Sequence, residues 1–180
     1  MRNAVGVVEW TSIALGIDAT DAMVKAASVE LLYSQPVCAG KYFAMIRGDV
    51  SAVNTAVTSG VERYPEAVVD HVVIPNPHPD LIPALAGAVE VPPSPSLGVV
   101  ETFSVTATVR TADVVAKTGQ VKLIEVRLAC GLGGKAYLLM VGEVSAVEVA
   151  VQTARATAKE ALVAAVVIPM LHRQLWAKVR

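Results

Sequence analysis

Aromatic side chains are scarce in this 180-residue chain, at 4% of positions, and cysteine occurs only twice. Two cysteines, Cys38 and Cys130, make no disulfide framework, and a secreted, bridge-stapled fold is excluded. Neither sign of charge is in excess: 15 Lys and Arg stand against 16 Asp and Glu. The basic residues are scattered, so the electrostatic footprint of a nucleic-acid binder is missing. Long apolar runs are missing as well. The longest, Ala161 to Leu171, contains Pro169 and is followed by His172 and Arg173, short of the roughly 18 residues that span a bilayer. Met1-Arg2-Asn3 leads straight into a strand-like run, without the apolar region and cleavage site of a signal peptide. The expected location is the cytoplasm, with neither membrane nor nucleic acid as partner.

What the chain has instead is valine and alanine. Hydrophobic residues make up 54% of it, and the mean hydropathy is +0.54. Small apolar side chains let strands and helices approach closely in a dense core. Surplus apolar surface in a chain without a membrane span points to burial between subunits. An oligomer is expected.

The sequence repeats itself. Ala4-Val5-Gly6-Val7-Val8-Glu9 returns as Ser96-Leu97-Gly98-Val99-Val100-Glu101, and Asp21 and Lys25 return as Asp113 and Lys117, all at an offset of 92. From Gly40-Lys41, matched by Gly134-Lys135, the offset becomes 94. It then holds through Gly48 to Val53 and Gly142 to Val147. Val72-Val73-Ile74-Pro75 meets Val166-Val167-Ile168-Pro169, and His78 meets His172. Chance similarity in a Val/Ala-rich chain would not also align Gly, Glu, Asp, Lys, Pro and His in order. The second copy carries two extra residues before its Gly-Lys. The expected domains are 1–89 and 96–180, joined by the proline-rich linker 90–95, in which prolines remove backbone donors and favour extended chain.

Each copy reads as β-α-β-β-α-β, an α+β unit with an antiparallel sheet and helices on one face. In the first copy, strands are expected at 4–11, 29–37, 41–47 and 67–74. A helix is expected over 18–27, with Asp18 near its start and Lys25 near its end, matched to the dipole. Asp49 is the expected N-cap of a second helix, whose Val50, Val53, Val57 and Val61 form a stripe close to helical period. Pro75-Asn76-Pro77 ends the last strand, and a short helix is expected over 79–85. In the second copy Glu143 takes the cap position.

Chemistry-bearing residues are few. A lone cysteine is most often a small buried hydrophobe, and burial beside the longer loop is expected for Cys130. Gly131-Leu132-Gly133-Gly134 lies between two strands, so it is neither a P-loop nor a dinucleotide fingerprint; its glycines suit close backbone approach. No cysteine or histidine pair has zinc spacing. Glu9 and Glu101 recur at matching positions, which indicates a repeated structural contact rather than an acid/base pair. No serine or cysteine nucleophile has a readable base and orienter. An enzyme is not indicated.

The strand start Gly6-Val7-Val8-Glu9, the helix Asp21-Ala22-Met23-Val24-Lys25-Ala26-Ala27, the Gly40-Lys41 turn, the Gly48-Asp49-Val50 helix start and Val73-Ile74-Pro75-x-x-His78 resemble the bacterial microcompartment shell-domain family. The resemblance covers almost the whole chain, twice. Each copy begins at its Gly-Val-Val-Glu strand, similar to the unpermuted tandem class. Thr11-Ser12-Ile13-Ala14 and Val37-Cys38-x-Gly40-Lys41 are similar in particular to the tandem shell proteins of propanediol-utilisation microcompartments.

The resemblance implies a homotrimer whose six lobes mimic a hexagonal shell tile, a pseudohexamer. It also implies other shell proteins as partners, location in a microcompartment shell, and a central pore. By that resemblance the pore is lined by Cys38, Ala39 and Gly40 and by Leu132, Gly133 and Gly134. The lattice edge would carry Lys25, Asn76, His78, Lys117 and His172. Single-domain relatives commonly have Arg at the edge position held here by Asn76 and Met170. The class further implies a [4Fe–4S] cluster held by three Cys38 thiolates at the trimer axis, with an encapsulated redox enzyme as a candidate electron partner; this chain has Ala39 where the cluster-bearing class has proline. The alternatives are a cysteine-lined metabolite pore without a cluster, a tandem small-ligand-binding regulatory protein, and a free-standing electron-transfer protein.

Overall fold

The computed structural model describes residues 4–91 and 94–179. Met1 to Asn3, the linker residues Pro92 and Pro93, and Arg180 lie outside the described residues. The chain divides into two compact units. The first holds residues up to Pro77 together with Ser104–Thr106 and Ala129–Lys135. The second holds His78–Phe103, Ala107–Leu128 and the stretch from Ala136 onward.

In the first unit, β1 (Ala4–Trp10), β2 (Glu30–Val37), β3 (Lys41–Gly48) and β4 (Val68–Pro75) form a four-stranded sheet in the order β2-β3-β1-β4. All its pairings are antiparallel. Helices α1 (Ile13–Ala26) and α2 (Val50–Arg63) pack against each other and against the sheet. Trp10, Met23, Tyr42, Ile46, Val53 and Val57 fill the space between the layers. The Cβ that Gly6 lacks would lie 2.5 Å from Val57 Cγ2 and 2.8 Å from Val53 Cγ1. Only glycine lets α2 come this close to β1.

Helix α1 starts five residues earlier than the sequence indicated, because Ser12 caps it: Leu15 N donates to Ser12 Oγ at 3.4 Å. Asp18 is therefore mid-helix, and Arg63 Nε and the Tyr64 hydroxyl donate to its carboxylate at 2.7 and 2.9 Å. Asp49 and Glu143 do occupy N-cap positions, but neither side chain bonds the helix backbone. On the valine stripe, Val53 and Val57 are buried, whereas Val50 is exposed.

The second unit contains α3 (Leu81–Leu85), β5 (Ser96–Thr102), α4 (Val105–Thr118, from Ala107), β6 (Lys122–Arg127), β7 (Ala136–Gly142), α5 (Val144–Ala158), β8 (Leu162–Pro169) and α6 (Arg173–Val179). Its sheet has the order β6-β7-β5-β8, and α5 packs on β5 and β8. Val89, Val91, Trp176 and Val179 pack with Leu97, Ile124 and Leu139, so this sheet carries the linker segment and α6 beside its strands.

The duplication is visible down to irregularities. The β1–β4 register slips between Glu9 and Trp10, and the β5–β8 register slips between Glu101 and Thr102. A second slip falls between Leu31 and Tyr33 and again between Leu123 and Glu125. Asn76 and Met170, at matching turns, both have left-handed φ of 48° and 49°. The copies differ where the sequence gained two residues: β6 ends at Arg127, and residues 128–135 replace the tight turn 38–40.

Candidate functional site: the Cys38 turn

The Cys38 turn links β2 to β3, and the peptide bond from Cys38 to Ala39 is cis. Ala39 and Gly40 are exposed, and Cys38 is half-buried. The loop 129–135 belongs to the same compact unit and lies against this turn. Cys38 N donates to Ala129 O at 2.6 Å, and Gly131 N donates to Cys38 Sγ at 3.2 Å. Gly131, Gly133 and Gly134 all have left-handed φ, between 61° and 86°. That conformation, costly for residues with a Cβ, wraps successive backbone amides around one sulfur. The Gly131 amide is the main influence holding the Cys38 thiol below the usual cysteine range; burial opposes it, and the amides of Leu132, Gly134 and Gly133 add to it. The residues of the two copies for which the resemblance implies a pore-lining role thus meet within one unit.

Behind the turn, Lys41 opens β3 and pairs with Glu9 on β1. Glu9 is fully buried. Its other carboxylate oxygen accepts from Ser104 Oγ at 2.8 Å and from Thr106 N at 3.2 Å. A buried carboxylate requires such partners on both oxygens. The expectation of a structural contact for Glu9 holds, but its partners Ser104 and Thr106 carried no signal in the sequence. Glu101 lines an open cavity of about 700 Å³ in the second unit, with Val99, Leu139 and Tyr137.

Cys130 departs from expectation. It is exposed rather than buried, although its neighbours Leu128 and Ala129 are buried. Gln35 Nε2 lies 3.8 Å from its sulfur.

The residues expected at a lattice edge fall into two groups. Lys25 is well exposed, at 74%, and pairs with Asp21 at 2.5 Å. Lys117 pairs with Asp113 at 2.6 Å, whose other oxygen accepts from His78 N at 2.7 Å. Asn76 is exposed at its turn. His78 and His172 share one local role. Each Nδ1 accepts from the backbone N–H two residues on, at Asp80 and Gln174, where a short helix begins. Among the described residues, no helix is long and apolar enough to cross a membrane. No group of three or more His, Cys, Asp or Glu within the chain is placed to hold a metal, again among the described residues.

The family described as "BMC domain" matches residues 4–77 and 96–171. The chain belongs to the BMC-domain family. It is a tandem BMC-domain chain of the microcompartment shell proteins. It is 42% identical to the bacterial microcompartment shell protein PduT of Citrobacter freundii over 98% of this chain and 97% of that protein. It is also 43% identical to the bacterial microcompartment shell protein EutM of Salmonella typhimurium, over 43% of this chain and 83% of EutM. The shorter protein therefore corresponds to one copy of the repeat. A crystal structure of a microcompartment protein from Desulfitobacterium hafniense superposes with a TM-score of 0.86 at 43% identity, covering 98% of this chain and 99% of that one. The tandem α+β architecture read from the sequence is that of the family.

Proposed function

We propose that three copies of this BMC-domain chain close into a pseudohexameric trimer that tiles a microcompartment shell facet, with the Cys38 turns at the central axis. The chain is then a structural component rather than an enzyme. Two fused copies per chain need only threefold closure to approximate six lobes. Lys25, Lys117, Asn76, His78 and His172 face neighbouring tiles, and other shell proteins are the partners.

One observation supports a role for the axis beyond a hole: the Cys38 sulfur receives a backbone N–H from Gly131 at 3.2 Å and sits among the amides of residues 132–134. Amide donors around a soft, thiolate-forming sulfur are the environment of an iron–sulfur ligand. The residues fit a [4Fe–4S] cluster on that ground, and since one chain supplies one such thiol, the fit requires three chains. Bound there, the cluster would supply one-electron transfer between the lumen and the outside. Cys38 would hold it, and the loop 131–134 would stabilise the charge on the sulfur. Ala39, Gly40, Leu132, Gly133 and Gly134 complete the pore wall, and an encapsulated redox enzyme is the natural electron partner.

The test is anaerobic purification with iron and sulfide reconstitution, read by visible absorption and by sedimentation. The expected result is a brown trimer that Cys38→Ala renders colourless without loss of the trimer. A colourless wild-type trimer would leave a metabolite pore; a monomer would end the tile reading altogether.

A further inference from the structure

Cys38 and Cys130 are 92 residues apart in sequence, yet the chain holds them side by side. Cys38 N donates to Ala129 O at 2.6 Å on one side of Cys130, and Gly131 N donates to Cys38 Sγ at 3.2 Å on the other. Covalent geometry then keeps Cys38 Sγ within about 6 Å of Cys130 Cα, and the two Cα atoms within about 7 Å of each other. Disulfides bridge Cα separations of roughly 4.4–6.8 Å, so this bound is compatible with a bridge between the pair. The loop that carries Cys130 has left-handed glycines at 131, 133 and 134, which can absorb a small shift without strain on a Cβ. Cys130 is exposed, and the contact of its sulfur with Gln35 Nε2 is a long one, at 3.8 Å. The sulfur can turn about χ1 without giving up a strong bond.

We propose that Cys38 and Cys130 form a thiol–disulfide exchange site, closing to an intrachain disulfide with a low-molecular-weight disulfide and reopening with low-molecular-weight thiols. The Cys38 thiolate attacks one sulfur of RS–SR; that S–S bond breaks, RS⁻ departs, and a Cys38–SR mixed disulfide forms. The Cys130 thiolate then attacks Cys38 Sγ, forming the Cys38–Cys130 bond and releasing the second RS⁻. The two protein thiol protons end on the two leaving thiolates as RSH. Two electrons pass from the protein thiols to the oxidant. The closed form withdraws Cys38 from any soft-metal ligation, and the open form restores it. This inference needs only one chain, so it stands or falls separately from the trimer and the cluster.

The experiment treats the metal-free full chain with oxidised glutathione and reads intact mass, titratable thiols and a non-reducing peptide map. The expected product has lost two hydrogen atoms and both free thiols, carries a single cross-linked peptide joining Cys38 to Cys130, and reverts with dithiothreitol. Cys130→Ala should instead stop at the Cys38–glutathione mixed disulfide. Cross-linking of Cys38 to Cys38 of another chain, or wild-type protein that retains glutathione on either cysteine, would overturn the proposal.

Discussion

Ser104 and Glu9 are 95 positions apart in the chain, and the Ser104 hydroxyl donates to Glu9 Oε2 at 2.8 Å. The other oxygen of the carboxylate takes Lys41, the first residue after the Cys38 turn. Glu9 therefore ties the start of β3 to a segment from the second sequence copy, inside one compact unit. A buried charge that loses one partner is strongly destabilising, by about 3–5 kcal/mol. Lys41→Met should cost about 3 kcal/mol in urea-denaturation stability, and Ser104→Ala about 2 kcal/mol, the value of a hydrogen bond to a charged group. A Lys41→Met variant as stable as the parent would mean that the Glu9 charge is satisfied elsewhere.

Close approach of α2 to β1 makes a second expectation. A methyl group on Gly6 would sit 2.5 Å from Val57 Cγ2, well inside contact distance. Overpacking of this kind typically costs 1–3 kcal/mol. Gly6→Ala should therefore lower stability by about 2 kcal/mol. Gly6→Ala combined with Val57→Ala should recover part of the loss, because the second change removes the clashing atom. Strict additivity of the two penalties in a double-mutant cycle would refute the steric explanation.

Much of this was legible because a duplicated sequence prints its strands and its helix-facing glycines twice. Gly6 and Gly98 were matched as letters and prove to be matched as contacts, the Cβ missing from Gly98 lying 2.8 Å from Val147 Cγ1. The start of α1 was not legible from charge. Asp18 looks like an N-terminal acid, but its partner Arg63 is 45 residues away, and only folding makes them neighbours. The exposure of Cys130 was hidden for a related reason: the general burial tendency of cysteine does not say which way one side chain of a loop points, and Cys130 is exposed beside the buried Ala129. The amides that converge on Cys38 belong to a loop 93 residues downstream, so composition and spacing could mark both segments but could not bring them together.

The Asp18–Arg63 pair carries a pH dependence whose sign follows from its direction. The hydrogen bond from Arg63 is the main cause holding the Asp18 carboxyl below the usual aspartate range, and the Tyr64 hydroxyl adds to it. A depressed folded-state value means that the contribution to stability is present above the unfolded aspartate value, about 3.9, and is lost as pH falls through the lower folded value. Both groups are solvent-accessible, so the effect on stability is small. NMR titration of the Asp18 carboxyl should show its midpoint moving up toward the ordinary range in Arg63→Gln. An unmoved midpoint would assign the depression to something other than Arg63.

Lys25 separates the lattice from the trimer. Its side chain is 74% exposed, and its pairing at 2.5 Å is with Asp21 one helical turn away. Exposed i,i+4 pairs contribute only about 0.3–0.5 kcal/mol and like-charge pairs cost a similar amount, so Lys25→Glu should leave the fold within about 1 kcal/mol of the parent. If Lys25 faces a neighbouring tile, reversal of its charge puts like charges of the 21 and 25 positions together at the edge and weakens tile-to-tile contact. Electron microscopy at high protein concentration should then show sheets for the parent and dispersed particles for the variant, while sedimentation reports the same trimer for both. Loss of the trimer in Lys25→Glu would place this lysine at the interface between chains of one ring, and the assignment of α1 to the outer edge would have to be abandoned.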